Sequence, residues 1–428
     1  MSPSASTTPP AFTPAPNSRH LLAVLLAAFL GWMFDGLEMG IFPLVARPAL
    51  LQMHAATDAA QTLAADVFVG RWMGIVTAAF LLGAALGGVV FGWIGDRFGR
   101  VRAMALSILC YSLCTGLTYF AQTPEHLVIT RFCAALGMGG EWALGVALVM
   151  EIWPDKHRVW LAGVIGAAAN LGFALIGLIG LSFKVTTDSW RWVALVGAVP
   201  ALLTFLIRLF VPESHRWQHA AQQSPARPLR EIFAPTIIRR TLLAALFCGI
   251  TLLGTWGTVQ WLPLWADQLT GGTQPHAKAV TQILSAFGAV TGSLLGAWLG
   301  KLGRRPAYFL ICLTSLIACS YLFRGIHTYG DAFLVMTFIA GLTTASFYGW
   351  APLYLPELFP TRMRATGQGF AYNAGRVFAA VGTLQMSALM AHFDGSFART
   401  GAVVALIYAL GLIAIWFAPE TKGRPLPE

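Results

Sequence analysis

The chain reads EIWPDKHR at residues 151–158 and ELFPTRMR at residues 357–364, so one motif occurs twice at an offset of 206 residues. GDRFGR at residues 95–100 returns as GKLGRR at residues 300–305, and FVPES returns as FAPET after 207 residues. Three unrelated motifs that recur at nearly one spacing indicate a duplicated unit. Chains built from two such repeats place a substrate site between the halves and work by rocking one half against the other.

The composition indicates that lipid is the solvent of this chain. With 57% hydrophobic and 11% charged residues, it has more apolar surface than a soluble core of this length could bury. Twelve apolar segments each approach the ~20 residues that a helix needs to cross a bilayer. We therefore predict an all-α membrane protein with twelve transmembrane helices in two pseudo-symmetric six-helix bundles. The predicted spans are residues 21–45, 72–94, 103–121, 126–150, 160–182, 190–211, 241–265, 279–299, 307–323, 332–353, 367–391 and 400–418.

The spans and the segments around them predict five regions. The amino tail is rich in Pro, Ser and Thr and is predicted to be disordered. A basic break separates the two repeats and is expected to hold some amphipathic helix. The regions are a tail at 1–18, a six-helix bundle at 19–211, a cytoplasmic linker at 212–240, a second bundle at 241–418 and a tail at 419–428.

The distribution of basic residues predicts the orientation in the membrane. Most of the 28 Lys and Arg residues lie in the tails and in the loops that share a side with them. Since such loops remain inside the cell, we expect both termini to be cytoplasmic and the membrane to be the inner membrane. The net charge of +10 follows from this bias. The basic residues are scattered without interleaved aromatics, so no nucleic-acid partner is expected.

The positions of the cysteines and the residue content of the predicted spans argue against a metal site and against enzyme activity. All six cysteines fall inside predicted spans and no CxxC pair exists, so neither a disulfide nor a metal framework is predicted. No predicted span carries a metal-ligand cluster or a nucleophile with its base. We expect a monomer without cofactor or metal that handles a small-molecule substrate and protons.

Several motifs together resemble the major facilitator superfamily over the whole chain. They are GDRFGR after the second span, RFCAALGMGGE at residues 131–141, PES after the sixth span and PET after the twelfth. Within that family, FDGLEMG in the first span, QWLPLW at residues 260–265 and PELFPTRMRATGQGFAYNAGR look like the metabolite:proton symporters for aromatic acids, nicotinate, sialate or sugars. The resemblance implies the major facilitator fold and secondary active transport.

Three departures from family patterns narrow this expectation. The second copy of the motif, GKLGRR, has no aspartate to match Asp96 of the first repeat, so only the first half can form the full charged latch. The fifth span lacks the proline of the Gly-Pro motif of many drug:proton antiporters, which favours symport or uniport. The QQ pair of sugar porters is missing from the seventh span, which weakens a hexose assignment.

Few charges lie deep within the spans. They are the acids Asp35, Glu38 and Glu141 and the bases Arg131 and Arg376. A charge in the membrane is costly unless paired or hydrated, so each is a candidate functional group, with a structural pair as the alternative. All nine histidines lie in loops or at the ends of predicted spans, so a proton carrier has to be a carboxylate.

The first-span acids are candidates for proton binding. Asp35 and Glu38 are three residues apart and share one helix face. Counting the rise per residue places Asp35 near the midplane and puts Glu38 and Arg131 at a similar, shallower depth. The family resemblance assigns proton binding to a first-span acid and its partner to a fourth-span arginine, which implies Asp35 and Arg131. Glu38 is then a partner or a second site.

Arg376 in the eleventh span is the candidate for binding an anion, and Asn170 is its repeat equivalent at the offset of 206. A guanidinium offers a planar fork that fits a carboxylate bidentately. The alternative is an arginine that reaches a lipid headgroup or pairs with Glu141. Rings and amides that could complete the site are Tyr372, Asn373, Trp256, Gln260, Trp261 and Tyr348.

Charged residues at the ends of several spans predict a cytoplasmic latch. Arginines near Asp96 can pair with Glu151 or Glu357 and close the inner side in the outward-facing state. The alternative is that these charges only set the orientation in the membrane. The predicted latch comprises Gly95, Asp96, Arg97, Arg100, Glu151, Arg158, Arg304, Glu357, Arg362 and Arg364.

These features predict a proton-coupled symporter of a small organic anion. A symporter or facilitator of an uncharged sugar or polyol is the main alternative, in which Arg376 would be structural. An antiporter or exporter is a further alternative.

Overall fold

The computed structural model describes residues 18–56, 65–182, 185–195, 198, 210–223, 227–271, 273–274, 276–394 and 396–428, and every regular element within these ranges is helical. The α-helices are α1 Ser18–Ala55, α2 Ala65–Phe98, α3 Arg100–Leu117, α4 Pro124–Ile152, α5 Arg158–Ser182, α6 Trp190–Leu195, α7 His215–Gln223, α8 Pro228–Glu231, α9 Ile238–Gly257, α10 Leu262–Thr270, α11 Ala277–Leu299, α12 Arg304–Gly325, α13 Asp331–Tyr354, α14 Arg364–His392, α15 Phe397–Val404 and α16 Ile407–Ala414.

Ten helical stretches in the described part of the chain are long and apolar enough to cross a membrane. They correspond to ten of the twelve predicted spans, with ends that differ by one or more residues. The eleventh predicted span lies within α14, which is not among these ten and carries the polar sequence GQGFAYNAGR. Of the sixth, only 190–195, 198 and 210–211 are among the described residues. The predicted amino tail likewise lies outside them, except for Ser18, which begins α1.

Several helices differ in extent from their predicted spans. The α1 and α2 helices extend beyond their predicted spans, because a helix can continue past the hydrocarbon once its side chains become polar. The seventh span is interrupted between α9 and α10, where Pro263 lies in the first turn of α10 and removes a backbone donor. The twelfth span likewise divides into α15 and α16.

Two helix pairs make the most extensive contacts between the halves of the molecule. The α2 helix packs against α14, and α5 packs against α11. At the first seam, a β-carbon on Gly369 would collide with the carbonyl oxygen of Gly88. At the second, a β-carbon on Gly163 would lie 3.2 Å from the Cα of Leu294. Small residues therefore allow the halves to approach closely, as is common for helices packed in membranes.

The repeated motifs start equivalent helices in each half. Gly99 and Gly303 precede α3 and α12 with φ angles of 113° and 135°, a region that favours glycine. These glycines are 204 residues apart, one less than the motif offset of 205. The first N–H groups of α3 and α12 donate to Glu213 and Glu420, respectively. The PES and PET motifs thus supply the acids that cap these helices.

The two capping acids differ in their surroundings. Burial raises the pKa of Glu213 above its usual value, although backbone N–H groups donate to its carboxylate. Burial also opposes ionisation of Glu420, but the N–H groups of Arg304, Arg305, Lys422 and Thr421 lower its pKa below the usual value. The cap of α12 is therefore the better suited to a charged carboxylate.

The linker and the carboxyl tail lie against one end of the bundles. This end, which carries Asp96, Glu151, Glu357 and Arg364, is called the latch side below. Trp217 on α7 donates its indole N–H to the carbonyl of Asp96 at 2.7 Å. The carbonyl of Pro427 in the tail accepts a hydrogen bond from Arg364 at 2.7 Å, and Leu426 beside it is buried.

Candidate functional site

A cavity lies between the two halves. It encloses about 720 Å³, including the space open to solvent. From the first half, α1 and α5 contribute Trp32, Met39 and Asn170, among others. The second half contributes side chains from α9, α11, α13 and α14, together with the turn before α10. The residues that the halves supply to this wall can therefore separate or approach when the halves move.

Arg376 on α14 supplies a positive charge to the cavity wall. Its side chain is 97% buried, and one guanidinium nitrogen donates to the Oδ1 atom of Asn373 at 2.8 Å. Its guanidinium carbon lies 5.5 Å from the centre of the Tyr372 ring. The partners of Arg376 in these contacts are thus a neutral amide and an aromatic face, neither of which neutralises its charge.

Aromatic rings from both halves meet beside Arg376. The ring of Trp142 on α4 stacks on Tyr372 of α14 with centroids 4.2 Å apart and planes at 20°. Trp32 on α1 contacts both rings, with centroids 6.3 Å from Trp142 and 6.2 Å from Tyr372. Since Trp32 and Tyr372 line the cavity, this cluster forms part of its boundary between α1, α4 and α14.

Most of the predicted substrate residues line this one cavity. Those that do are Arg376, Tyr372, Asn170, Trp256, Gln260 and Tyr348. Trp261 does not: its indole donates to the carbonyl of Trp256 at 2.9 Å and its ring lies 6.2 Å from Phe397. Asn373 is not among the lining residues either, because its side chain points into the contact between α14 and α4.

Sequence reasoning missed several residues of the cavity wall. Gln282 is a polar amide inside the eighth predicted span, and that position could have identified it. Trp32 lies one turn before Asp35 on the same helix, which is a weaker signal. Small hydroxyl side chains carry almost no signal, because they are common in membrane helices. The missed polar or aromatic residues are Trp32, Phe173, Thr255, Gln282, Ser285 and Thr344.

Two acids lie side by side beneath the cavity wall. Asp35 on α1 and Glu141 on α4 are both buried, and their oxygens have no hydrogen-bond partner among the described residues. Glu141 and Arg376 both lie close enough to Asp35 to act on it electrostatically. Glu141 also packs against α1 at Gly31, where a β-carbon would collide with its carboxylate. The pair therefore bridges α1 and α4.

Arg131 pairs with Glu38, and not with Asp35 as the family resemblance implies. Their side chains form a buried ion pair, and Thr115 donates to the same carboxylate oxygen at 3.1 Å. The guanidinium carbon of Arg131 lies 4.9 Å from the ring of Phe42 and 4.7 Å from that of Phe80. Arg131 thus has Glu38 as its anion and two ring faces around its guanidinium group.

Asp96 connects the two halves on the latch side. Its carboxylate pairs with Arg100 of its own half and accepts from the backbone N–H groups of Ala365 and Thr366 on α14, at 3.2 and 2.8 Å. It also accepts from the hydroxyl of Thr366. Asp96 therefore binds the N-terminus of α14, a position where the helix dipole favours an anion.

Glu151 is the second acid that joins the halves. It accepts from Arg100 at 3.1 Å and from Ser214 at 2.6 Å within the first repeat and linker. Arg364 of the second repeat donates to it at 2.8 Å. Arg100 also donates across the seam to the carbonyl of Thr361 at 2.7 Å. These side chains are buried, so their interactions are screened less than those of surface pairs.

The second repeat forms an equivalent cluster, but its acid does not bond to the other half as Asp96 and Glu151 do. Glu357 accepts from Arg304 at 2.9 and 2.6 Å and from Thr421 at 2.6 Å, all in its own half. Arg158, the repeat equivalent of Arg364, pairs with Asp155 instead, although Glu357 acts on it electrostatically. The expectation that Glu357 closes the latch by a pair across the seam is therefore wrong for this state.

The remaining latch residues have different roles. Gly95 contributes its carbonyl, which accepts from Arg100 at 2.9 Å. Arg97 is exposed, and its guanidinium lies over the rings of Trp93 and Phe98. It is thus not part of the buried network, contrary to expectation. Arg362 pairs with Glu231 of α8 at 2.7 Å and ties the linker to the second half.

Comparison with known proteins agrees with the arrangement of the helices. The sequence model of the Major Facilitator Superfamily matches residues 21–382 and 272–428. A protein of Cupriavidus pinatubonensis named "Probable 4-methylmuconolactone transporter" is 30% identical, over 93% of this chain and 90% of its own length. The 3-(3-hydroxy-phenyl)propionate transporter of Escherichia coli is 29% identical, over 97% of this chain and 98% of its own.

Solved structures show the same fold. The proton:xylose symporter XylE with bound 6-bromo-6-deoxy-D-glucose superposes with a TM-score of 0.76 at 20% identity. The match covers 96% of this chain and 98% of that one. It supports the twelve-helix architecture in two pseudo-symmetric bundles.

Proposed function

Because the chain belongs to the Major Facilitator Superfamily and is a multi-pass membrane transporter, not an enzyme, we propose that it carries a small organic anion together with protons by alternating access. The two halves, residues 19–211 and 241–418, would rock about the cavity between them, with residues 212–240 as their linker. A monomer suffices, because both walls of the cavity come from one chain.

The observation that carries the anion assignment is the position of Arg376. It lines a cavity between the halves with its charge against a neutral amide and an aromatic ring. A guanidinium in that position is costly unless a counterion or water meets it during the cycle. A substrate carboxylate would supply that counterion and would dock in the planar geometry that arginine offers.

The adjacent acids Asp35 and Glu141 support proton coupling. Two buried carboxylates next to each other cannot both be ionised at low cost, so such a pair holds a proton and titrates as a unit. Arg376 lies close enough to Asp35 to act on it electrostatically, and a nearby cation attracts an ionised carboxylate. A substrate anion that occupies Arg376 would weaken that influence, so that anion and proton bind together.

The relatives agree with an organic acid as the substrate. One is named for a muconolactone and another for a phenylpropionate. The rings of Trp32, Trp256, Tyr348 and Tyr372 around the cavity would suit the apolar part of such a molecule.

We also propose that the latch side is the cytoplasmic side, with both termini there. Basic side chains concentrate at this end, in keeping with the distribution that retains loops inside the cell. The network of Asp96, Glu151, Arg100 and Arg364 would then close the inner side, and this structure would represent a cytoplasm-closed state.

A binding experiment tests the anion assignment. A thermal-shift screen of the purified protein against monocarboxylates, aromatic acids, sialate and sugars would identify the acid that binds, because a ligand stabilises the native state by mass action. Affinities for that acid and for its uncharged amide would then be compared in wild type and in Arg376→Lys.

We expect Arg376→Lys to weaken binding of the acid by about 1.5–3 kcal/mol, as for a lost hydrogen bond to a charged group, and to leave the amide almost unaffected. Thr314→Val, which removes an exposed hydroxyl on α12 that donates to Leu310 and lies outside the cavity wall, is the control. Stabilisation by a sugar and by none of the acids would refute the proposal.

A further inference from the structure

Asn373 occupies a position that joins the cavity to the seam between the halves. Its side chain is buried on α14, and its amide nitrogen donates to the carbonyl of Gly139 on α4 at 3.0 Å. The same nitrogen donates to Gly369 of its own helix at 2.9 Å. The amide therefore makes one hydrogen bond across the seam and one along α14.

These two hydrogen bonds determine where the oxygen of the amide points. With both N–H groups used, the Oδ1 atom faces Arg376 and accepts from its guanidinium at 2.8 Å. A side-chain amide has two donor hydrogens and an acceptor oxygen on opposite sides, so turning it over would break all three contacts. Closure of the seam thereby fixes the position of the Oδ1 atom to which Arg376 donates.

The surroundings leave little room for another arrangement. A β-carbon on Gly88 of α2 would collide with the amide nitrogen of Asn373, so this side chain lies in a tight pocket between α2, α4 and α14. Tyr372, the preceding residue, stacks on Trp142 of α4, three residues beyond Gly139. The seam at this level is thus closed by one ring stack and one hydrogen bond.

We propose that Asn373 is a positioning residue that couples the orientation of Arg376 to the closure of the seam between α4 and α14. The proposal rests on the anion-binding role given above to Arg376. When the seam opens, Gly139 leaves the amide, the amide is free to rotate, and Arg376 loses its fixed acceptor. A substrate anion on Arg376 is therefore held in one orientation only while the seam is closed.

The coupling can be measured without a substrate. Ala365 on α14 is buried against α2 on the latch side, and a cysteine there would become accessible when the seam opens. The readout is the labelling rate of Ala365→Cys by a membrane-impermeant maleimide applied from the latch side. The parent protein without this substitution sets the background from the six native cysteines.

We expect Asn373→Ala to speed labelling roughly two- to tenfold, as loss of one hydrogen bond would shift the population of the open seam. Asn373→Asp should act in the same direction, because a carboxylate keeps the acceptor for Arg376 but cannot donate to Gly139. This second variant nearly preserves volume and serves if the alanine variant folds poorly. Thr314→Val on α12, an exposed position outside the cavity whose hydroxyl donates to Leu310 of its own helix, should label at the wild-type rate.

A double-mutant cycle distinguishes positioning from simple packing. Arg376→Gln alone should also speed labelling, because it removes the group that holds the amide oxygen. In the Arg376→Gln background, Asn373→Ala should add less than it does in wild type. Additive effects, or an unchanged rate in both Asn373 variants, would overturn the proposal. Either result is independent of whether the protein carries an organic anion, so failure of the two proposals can be told apart.

Discussion

At the scale of single residues, the charges of Asp35 and Glu141 are the hardest for the structure to accommodate. Both are buried, and their oxygens find no hydrogen-bond donor within the described residues. Glu38, three residues further along α1, instead has Arg131 and Thr115 as partners. The neighbouring acids of one helix thus differ: Glu38 is ion-paired in this structure, and we expect Asp35 to be the acid that exchanges a proton.

We predict that Asp35→Asn abolishes uphill accumulation driven by an inward proton gradient but leaves exchange of substrate measurable. The amide keeps the shape of the acid and loses its titration. Accumulation and counterflow in proteoliposomes, with the acid identified by the thermal-shift screen, measure the two activities. Gradient-driven accumulation at the wild-type level in this variant would contradict the role of Asp35.

Glu38→Gln provides the contrast. Removing one partner of a buried ion pair leaves Arg131 uncompensated and destabilises by about 3–5 kcal/mol. We therefore expect a lower melting temperature for Glu38→Gln than for Asp35→Asn, in which a repulsive interaction is relieved. The order of the two melting temperatures in the same detergent checks this.

The charged residues within the spans also show how well the position of a side chain can be predicted from the sequence. Counting the rise along each helix placed Glu38 and Arg131 at one depth, and the structure pairs them. The family resemblance instead implied Asp35 as the partner of Arg131. Depth along a span follows from the sequence, but the direction in which a side chain points around its helix depends on tertiary packing. The contact between Asp35 and Glu141 could not be predicted for that reason.

At the scale of elements, the seam between α2 and α14 depends on the absence of side chains. Gly88 and Gly369 face each other there, and a β-carbon at either would meet backbone or the amide of Asn373. Two helices can approach this closely only where small residues meet. The latch residue Asp96 then reaches the N-terminus of α14.

We predict that Gly369→Ala opens this seam. The added methyl group would overlap the carbonyl of Gly88 and cost about 1–3 kcal/mol in the closed state, as other overpacking substitutions do. Labelling of Ala365→Cys should therefore become faster. Gly74→Ala on α2 is the matched control, because a β-carbon there meets nothing within 4 Å. Equal labelling of both variants would contradict this account of the seam.

The elements themselves were largely predictable, because the length and apolarity of a span are local properties of the sequence. The break before Pro263 and the one-residue change in offset at Gly303 were not predicted. Both depend on backbone conformation in a turn, where a single glycine or proline shifts the register. The span in α14 was also predicted from its length and apolarity, although its polar run weakens the apolar signal.

At the scale of the whole molecule, the two repeats hold the latch side closed unequally. The first half reaches across through Asp96 and Glu151, whereas Glu357 stays with Arg304 in its own half. A few contacts of modest strength bias a two-state equilibrium without locking it, which a transporter that has to reopen requires. The carboxyl tail adds one contact at Arg364.

We predict that truncation after Gly423 increases the open population on the latch side. It removes the carbonyl of Pro427, which accepts from both Arg364 and Thr361, and the buried side chain of Leu426. Loss of a hydrogen bond of ordinary strength would raise the labelling rate of Ala365→Cys about two- to tenfold. A rate equal to that of the full-length protein would show that the tail does not stabilise closure.

The docked tail also bears on how this protein is prepared and observed. An affinity tag or fluorescent reporter fused after Glu428 begins two residues beyond Pro427, whose carbonyl accepts a hydrogen bond from Arg364, in a place where the chain is packed against the latch. Such a fusion risks pulling Pro427 away and reporting on a molecule with altered conformational preference. A tag or reporter placed before Ser18, where α1 begins, leaves the hydrogen bond between Arg364 and Pro427 in place.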